Sequence, residues 1–174
     1  MPKRLSVDAR KLVLASAAEE ARRRGDRRLG ADHLLLGLVH EEDSPAAKAL
    51  GVSLAAARAA SDALDRAALA AVGVQVDTLG GGPPAPPGRR LPPLTSGARA
   101  VFQRAIDEAR PAGSGRIEAS HFLLALLSRR RPDPAAELLD ALGVDPAAVR
   151  RRLGGAAGGE AGGTAAASAT TPAG

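Results

Sequence analysis

The sequence contains no cysteine, tryptophan or tyrosine, and only two phenylalanines in 174 residues. Without cysteine there are no disulfides, no thiolate nucleophiles and no cysteine-based zinc or iron–sulfur sites. Three histidines, His33, His40 and His121, leave little for a metal cage, and no cofactor is expected. Near-absence of aromatic rings removes the stacking platform on which single-stranded nucleic acids lie. No run of about 18 apolar residues occurs, so no membrane span is expected. The stretch Leu12-Val-Leu-Ala-Ser-Ala-Ala18 has the look of a signal-peptide core, but it is too short and is approached through Asp8, Arg10 and Lys11. A soluble, cytoplasmic protein is expected. Lysine is scarce as well: 3 Lys and 21 Arg face 19 acidic residues, for a net charge of +5.

What is present is alanine, at 40 positions, with 20 glycines and 13 prolines. Residues 154–174 hold only Gly, Ala, Ser and Thr with one Pro and one Glu. Such a segment buries too little apolar surface to offset its ordering entropy, which predicts a disordered tail. Residues 77–93, centred on Gly80-Gly-Gly-Pro-Pro-Ala-Pro-Pro-Gly88, block helix and central strand alike and predict a linker. Two halves remain, 1–76 and 94–153.

The halves are copies. A shift of 88 residues aligns 7–40 with 95–128 without a gap, and 12 of these 34 positions are identical, among them Val13/Val101, Glu20/Glu108, Gly25/Gly113, His33/His121 and Leu35/Leu123. Further on, Gly51-Val-Ser meets Gly143-Val-Asp. Each half is marginal alone, so the two are expected to share one core.

Both halves read as helical. Val13, Ala17 and Ala21 form a stripe at helical spacing, flanked by Leu14 and Ala18; Val101, Ala105 and Ala109 repeat it with Phe102 and Ile106. The segments beginning His33-Leu-Leu-Leu and His121-Phe-Leu-Leu are apolar nearly all round, as a buried central helix should be. Ser44-Pro45, Asp133-Pro134 and Asp145-Pro146 each place a cap before a proline at the first helical position, and Ser53 caps an Ala-rich helix ending before Gly73. Four helices per half predict an all-α protein of eight helices. No alternating pattern supports a sheet.

Chemistry is mostly missing. There is no phosphate loop, no dinucleotide fingerprint, no HExxH, and Gly113-Ser-Gly115 lacks the strand–turn–helix context of a nucleophile elbow. The carboxylates Glu19-Glu20 and Glu41-Glu42-Asp43 read as solvated charge. His33 and His121, equivalent in the repeat, read as core histidines bonded to backbone. Arginine clusters at 22–24 with 27–28, at 129–131 and at 150–152 suggest either a phosphate-binding surface or helix ends whose dipoles favour positive charge. Interleaved acids favour the second, so nucleic-acid binding by a regulatory protein is the alternative function and an enzyme is not expected.

The stretch Ala17-Ala-Glu-Glu-Ala-Arg, Gly25, Leu29-Gly-Ala-Asp-His-Leu-Leu-Leu-Gly-Leu-Val-His40, followed by Ser44-Pro-Ala-Ala-Lys-Ala-Leu-Gly-Val-Ser-Leu54, closely resembles the amino-terminal repeat domain of the Clp ATPases. The second copy, entered through Leu91-Pro-Pro-Leu-Thr-Ser-Gly-Ala-Arg99, is similar too. The resemblance implies two four-helix Clp repeats related by a pseudo-twofold axis. It also implies a stand-alone domain protein of the kind found in GC-rich actinobacteria, non-enzymatic and active in recognition. Its partners would be Clp ATPase or protease components or their substrates, which it serves as adaptor or sequesters as decoy.

Two family sites map onto this sequence by resemblance. One is a hydrophobic groove between the leading helices of the repeats, used for partners and, in actinobacterial relatives, for cyclic-peptide ligands. Its positions here are Leu14, Ala15 and Ala18 on one side and Pro93, Leu94, Arg99, Phe102, Gln103 and Ile106 on the other. The other binds phosphoarginine tags through a Glu that here is Asp32 in the first repeat and Ser120 in the second. With the family's capping Thr replaced by Ala31 and Ala119, Asp32 and Ser120 are expected to cap their helices instead.

Overall fold

A computed structural model describes residues 11–74, 90–111, 113 and 116–159, with backbone alone for 11, 12 and 156–159. Helix α1 (Ser16–Arg24) follows a π-helical turn, Lys11–Ala15, and leads to α2 (Ala31–Val39), α3 (Pro45–Leu50) and α4 (Leu54–Ala71). The second repeat contributes α5 (Ser96–Ala109), α6 (Ala119–Leu127), α7 (Pro134–Ala141) and α8 (Pro146–Gly159). The fold is all-α, and among the described residues the one isolated β-bridge pairs Leu29 with Leu94.

Local chemistry sets the helix ends. Ser44 Oγ accepts from the Ala47 N–H and Ser53 Oγ from the Ala56 N–H, both at 3.1 Å. Thr95 Oγ1 accepts from the Ala98 N–H at 3.2 Å, while Asp133 and Asp145 accept at 3.0 Å from the N–H groups of Ala135 and Ala147. Each supplies an acceptor to an otherwise unpaired first-turn donor. The equivalent glycines Gly51 and Gly143 end α3 and α7 at φ of 70° and 65°, a left-handed turn that a Cβ would disfavour.

The expected stripes face inward. Val13, Ala17, Ala21, Val101, Ala105 and Ala109 have no exposed surface, and all nine residues of α2 are buried. Helices α2 and α6 pack on each other at the centre. Around them the repeats interlock: α2 packs on α7 as α6 packs on α3, and α4 packs on α7 as α8 packs on α3. Exchanging the repeats maps each of these pairs onto the other, the signature of the pseudo-twofold axis. Arg152 crosses between repeats to donate from Nη1 to the Ala49 carbonyl at 3.0 Å, closing the carboxyl end of α3.

Two local expectations are corrected. Helix α8 runs through Gly154 to Gly159, past the point where the tail was predicted to start; once Val149 and Leu153 anchor the helix in the core, propagation adds one backbone bond per residue. Residues 160–174 of the predicted tail and 77–89 of the predicted linker lie outside the described residues. Nor do Asp32 and Ser120 cap. The caps are Gly30 and Glu118, so Asp32 and Ser120 already stand in the first helical turn. The histidines complete these ends: His33 Nδ1 accepts from the Gly30 N–H and His121 Nδ1 from the Glu118 N–H, both at 2.9 Å.

Candidate functional site

The approach to α5 is tied to the first repeat. Leu29 N–H donates to the Pro93 carbonyl, and Thr95 N–H donates to the Leu29 carbonyl, both at 3.0 Å. Extended Pro93 and Leu94 are thereby fixed beside the loop that enters α2. Next to this strap lies a cleft of about 540 Å³, lined from the first repeat by Arg28, Asp32 and His33 and from the second by Thr95, Gly97, Arg130 and Asp133.

One arginine organises the wall of the cleft. Arg24 donates from Nη1 to Asp32 Oδ2 at 2.6 Å and from Nη2 to Asp65 at 2.8 and 3.0 Å, with Asp26 3.4 Å from Nε. Because His33 Nδ1 is an acceptor, its proton resides on Nε2 and is donated to Asp26 Oδ2 at 2.9 Å. That bond, opposed by partial burial and reinforced by Arg24, holds the Asp26 carboxyl below its usual range. Burial pushes Asp65 upward, with Asp26 and Asp32 adding to the rise and Arg24 opposing it. Asp32, at the position to which the resemblance assigns a phosphoarginine tag, meets a guanidinium of its own chain. Its counterpart Ser120 is half-buried and brings no charge. Nothing in local sequence pattern pointed to Arg24 with Asp65, which are 41 positions apart.

The apolar positions divide. Leu14, Leu94, Phe102 and Ile106 are half-buried against the core, and Ala15, Pro93, Arg99 and Gln103 are exposed. Ala18 was expected on the groove wall and has no exposed surface, so it belongs to the core. Phe102 meets fully buried Phe122 edge-on, centroids 4.9 Å apart, which ties it to α6 of its own repeat rather than to the other. The π-helical turn carrying Leu14 and the helix carrying Phe102 both pack on α2.

Most of the arginine clusters are engaged. Arg129 pairs with Asp133 at 2.7 Å and Arg131 with Asp140 at 2.8 Å, while Arg150 donates to the Leu127 carbonyl at 3.1 Å. Paired guanidinium groups release fewer counterions on meeting a phosphate backbone. Binding to duplex DNA at physiological salt should therefore be micromolar or weaker and indifferent to sequence; nanomolar, sequence-selective retention in a mobility-shift assay would contradict this. Among the described residues no group of three or more His, Asp or Glu is placed to hold a metal ion, and no helix is long and apolar enough to cross a membrane.

Residues 5–130 and 93–172 each match the Clp repeat (R) N-terminal domain. The chain belongs to this family of Clp repeat domains. It is 33% identical over 144 residues to the chloroplastic chaperone proteins ClpC2 of Oryza sativa subsp. japonica and ClpC1 of Arabidopsis thaliana, an alignment covering 81% of this chain and 14% of each relative. The chain thus spans about one seventh of the length of these Clp chaperones. The crystal structure of the N-terminal domain of the chaperone ClpD from Arabidopsis thaliana superposes with a TM-score of 0.64 at 18% identity, covering 91% of this chain and 97% of that one. Sequence identity that low shows the shared Clp repeat fold alone.

Proposed function

We propose that this Clp repeat chain is a non-catalytic recognition module that binds proteins and peptides of the Clp unfoldase–protease system, as adaptor or as decoy, through the surface shared by its repeats. The observation that carries the reading is the set of half-buried apolar side chains, Leu14, Leu94, Phe102 and Ile106, on elements floored by or strapped to one another across the repeat boundary. Arg99 and Gln103 supply polar edges. Apolar walls with few polar anchors suit an extended or cyclic apolar peptide better than a small metabolite. Recognition of phosphoarginine through Asp32 and Ser120 has less support, because Arg24 already occupies the Asp32 carboxylate and Ser120 lacks one.

The immobilised chain should retain a Clp ATPase or its substrates from the cytosol in which it is expressed, and Phe102→Ala should weaken that retention. Half-buried Phe102 leaves the core partly intact when truncated, so unfolding should become easier by about 1–2 kcal/mol. Affinity for the retained partner should fall by about 1–3 kcal/mol, a hot-spot loss. A stability loss of about 3–5 kcal/mol with unchanged retention would make Phe102 purely a core residue and place recognition elsewhere.

A further inference from the structure

The two repeats reverse a charge at equivalent positions. Beyond the aligned segments 7–40 and 95–128, the next three residues are Glu41-Glu42-Asp43 after α2 and Arg129-Arg130-Arg131 after α6. The pseudo-twofold axis therefore sets an acidic and a basic loop at the same height on opposite sides of the molecule. Glu41 and Glu42 are exposed, as are Arg130 and Arg28, which line the same cleft of about 540 Å³. Among the described residues, none of these four side chains has a hydrogen bond or ion pair. The charges around them are engaged: Arg129 with Asp133, Arg131 with Asp140, Asp32 with Arg24 and Asp26 with His33. Asp43 lies 3.7 Å from Lys48. What remains unsatisfied is two carboxylates on one side of the axis and two guanidinium groups on the other.

We propose that a second copy of this chain docks here, the Glu41-Glu42 loop of each copy entering the cleft of Arg28 and Arg130 in the other. Turning a copy over, about a twofold perpendicular to the pseudo-twofold axis, exchanges its two sides. Each acidic loop then faces a basic cleft, and both contacts form at once in a closed, isologous dimer. Had the repeats kept one charge, this docking would set like against like. The reversal makes it attractive and penalises arrangements in which acid meets acid. Once one contact has formed, the other is intramolecular, which strengthens the pair beyond either alone. A dimer so built fills the basic cleft with its own chain and competes there with any other anion. The half-buried apolar side chains of the recognition surface, Leu14, Phe102 and Ile106 among them, take no part.

Exposed ion pairs are individually weak, so four of them predict a dissociation constant on the order of 0.1–1 mM. Translational diffusion of the full chain, measured by NMR through that concentration range, should slow from the monomer value to the dimer value and stop there. Raising salt from about 0.1 M to about 1 M, which shortens screening from about 10 Å to about 3 Å, should weaken the dimer about tenfold or more. Two charge-reversed variants then test the pairing. Glu41→Arg with Glu42→Arg makes both sides basic, and Arg28→Glu with Arg130→Glu makes both acidic. Each variant alone should stay monomeric, because both of its contacts set like charges together. An equimolar mixture should dimerise again, because every contact then joins opposite signs. All four substitutions lie at exposed positions, and the milder pair Glu42→Arg and Arg130→Glu repeats the exchange with one change per chain. A parent chain that stays monomeric overturns the proposal. So do dimerisation of either doubly reversed variant alone, a mixture that stays monomeric, and growth beyond the dimer.

Discussion

Residues 1–76 expressed alone should show no sharp, reversible unfolding transition, whereas the full chain cleaved within 80–88 should stay a single associated particle. The reason is the interlocking of the repeats. Helix α3 packs on α6 and α8, and both α2 and α4 pack on α7, so removing the second repeat strips one side from three of the four helices of the first. Leu34, Leu35, Leu36 and Leu50, nearly or fully buried in the intact fold, stand on α2 and α3, both of which pack against helices of the second repeat. A chain of this length buries only about 60% of its surface even when well folded, and here much of its apolar surface is designed to meet the other half. The readout is helicity at 222 nm through a thermal scan, since the chain lacks tryptophan and tyrosine. A cooperative transition of the fragment near the midpoint of the full chain would show that each repeat folds by itself.

Arg58→Ala should destabilise the fold by about 3–4 kcal/mol in denaturant titrations, and Glu20→Leu by clearly less. Glu20 has no exposed surface, and its carboxylate is held by Arg58, through Nε at 3.1 Å and through a second bond from Nη2, and by Arg23 Nε at 3.1 Å. Removing Arg58 strands a buried charge with one remaining partner, the costly way to break such a pair. Replacing the carboxylate by a hydrocarbon releases two arginines whose side chains are already 35% exposed and recover water. A reversed order of the two variants would overturn this assignment. The same pair fixes a pH dependence. Burial pushes the Glu20 carboxyl up, but the hydrogen bonds and charges of Arg58 and Arg23 outweigh it and leave the group below its ordinary value. A depressed folded-state value means that the unfolded chain takes up the proton first. Its stabilisation is therefore complete above the unfolded value of about 4.3 and disappears as pH falls through the lower folded value. Asp26 acts in the same direction, while Asp65, raised and half-exposed, acts weakly in the other. The stability of Glu20→Leu should fall less steeply than that of the parent between pH 5 and pH 3.

The ion pairs also show how the long helix is held. Arg58 and Asp62 of α4 meet Glu20 and Arg23 of α1, and Asp65 meets Arg24, while the buried side chains of α4 are only Ala57 and Ser61. Salt bridges therefore fasten an otherwise thinly packed helix along the side of the first repeat. In the second repeat Glu108 pairs within its own helix, with Arg104 at 2.8 Å, and the equivalent of Arg58, Arg150, turns to a carbonyl. Duplicated sequence kept the acid and changed its task.

Features settled within a turn or two of chain are legible in the residue order. The 88-residue repeat, the inward stripes, the proline-marked caps at Ser44, Asp133 and Asp145, and the backbone-bonded histidines at His33 and His121 all follow from periodicity and from short-range hydrogen bonding, which act over about four residues. The family resemblance carried the same reading to the pairing of repeats. Which charged groups meet, and which apolar groups stay exposed, follows from the folded packing. Glu20 finds Arg58 38 positions away and Arg24 finds Asp65 41 positions away, because long side chains choose partners through space. Ala18 is core while Leu14, one turn earlier, keeps exposed surface, and Asp32 serves Arg24 rather than its own helix end. The π-helical turn Lys11–Ala15 has no local sequence signal either, and the equivalent helix α5 is regular from Ser96.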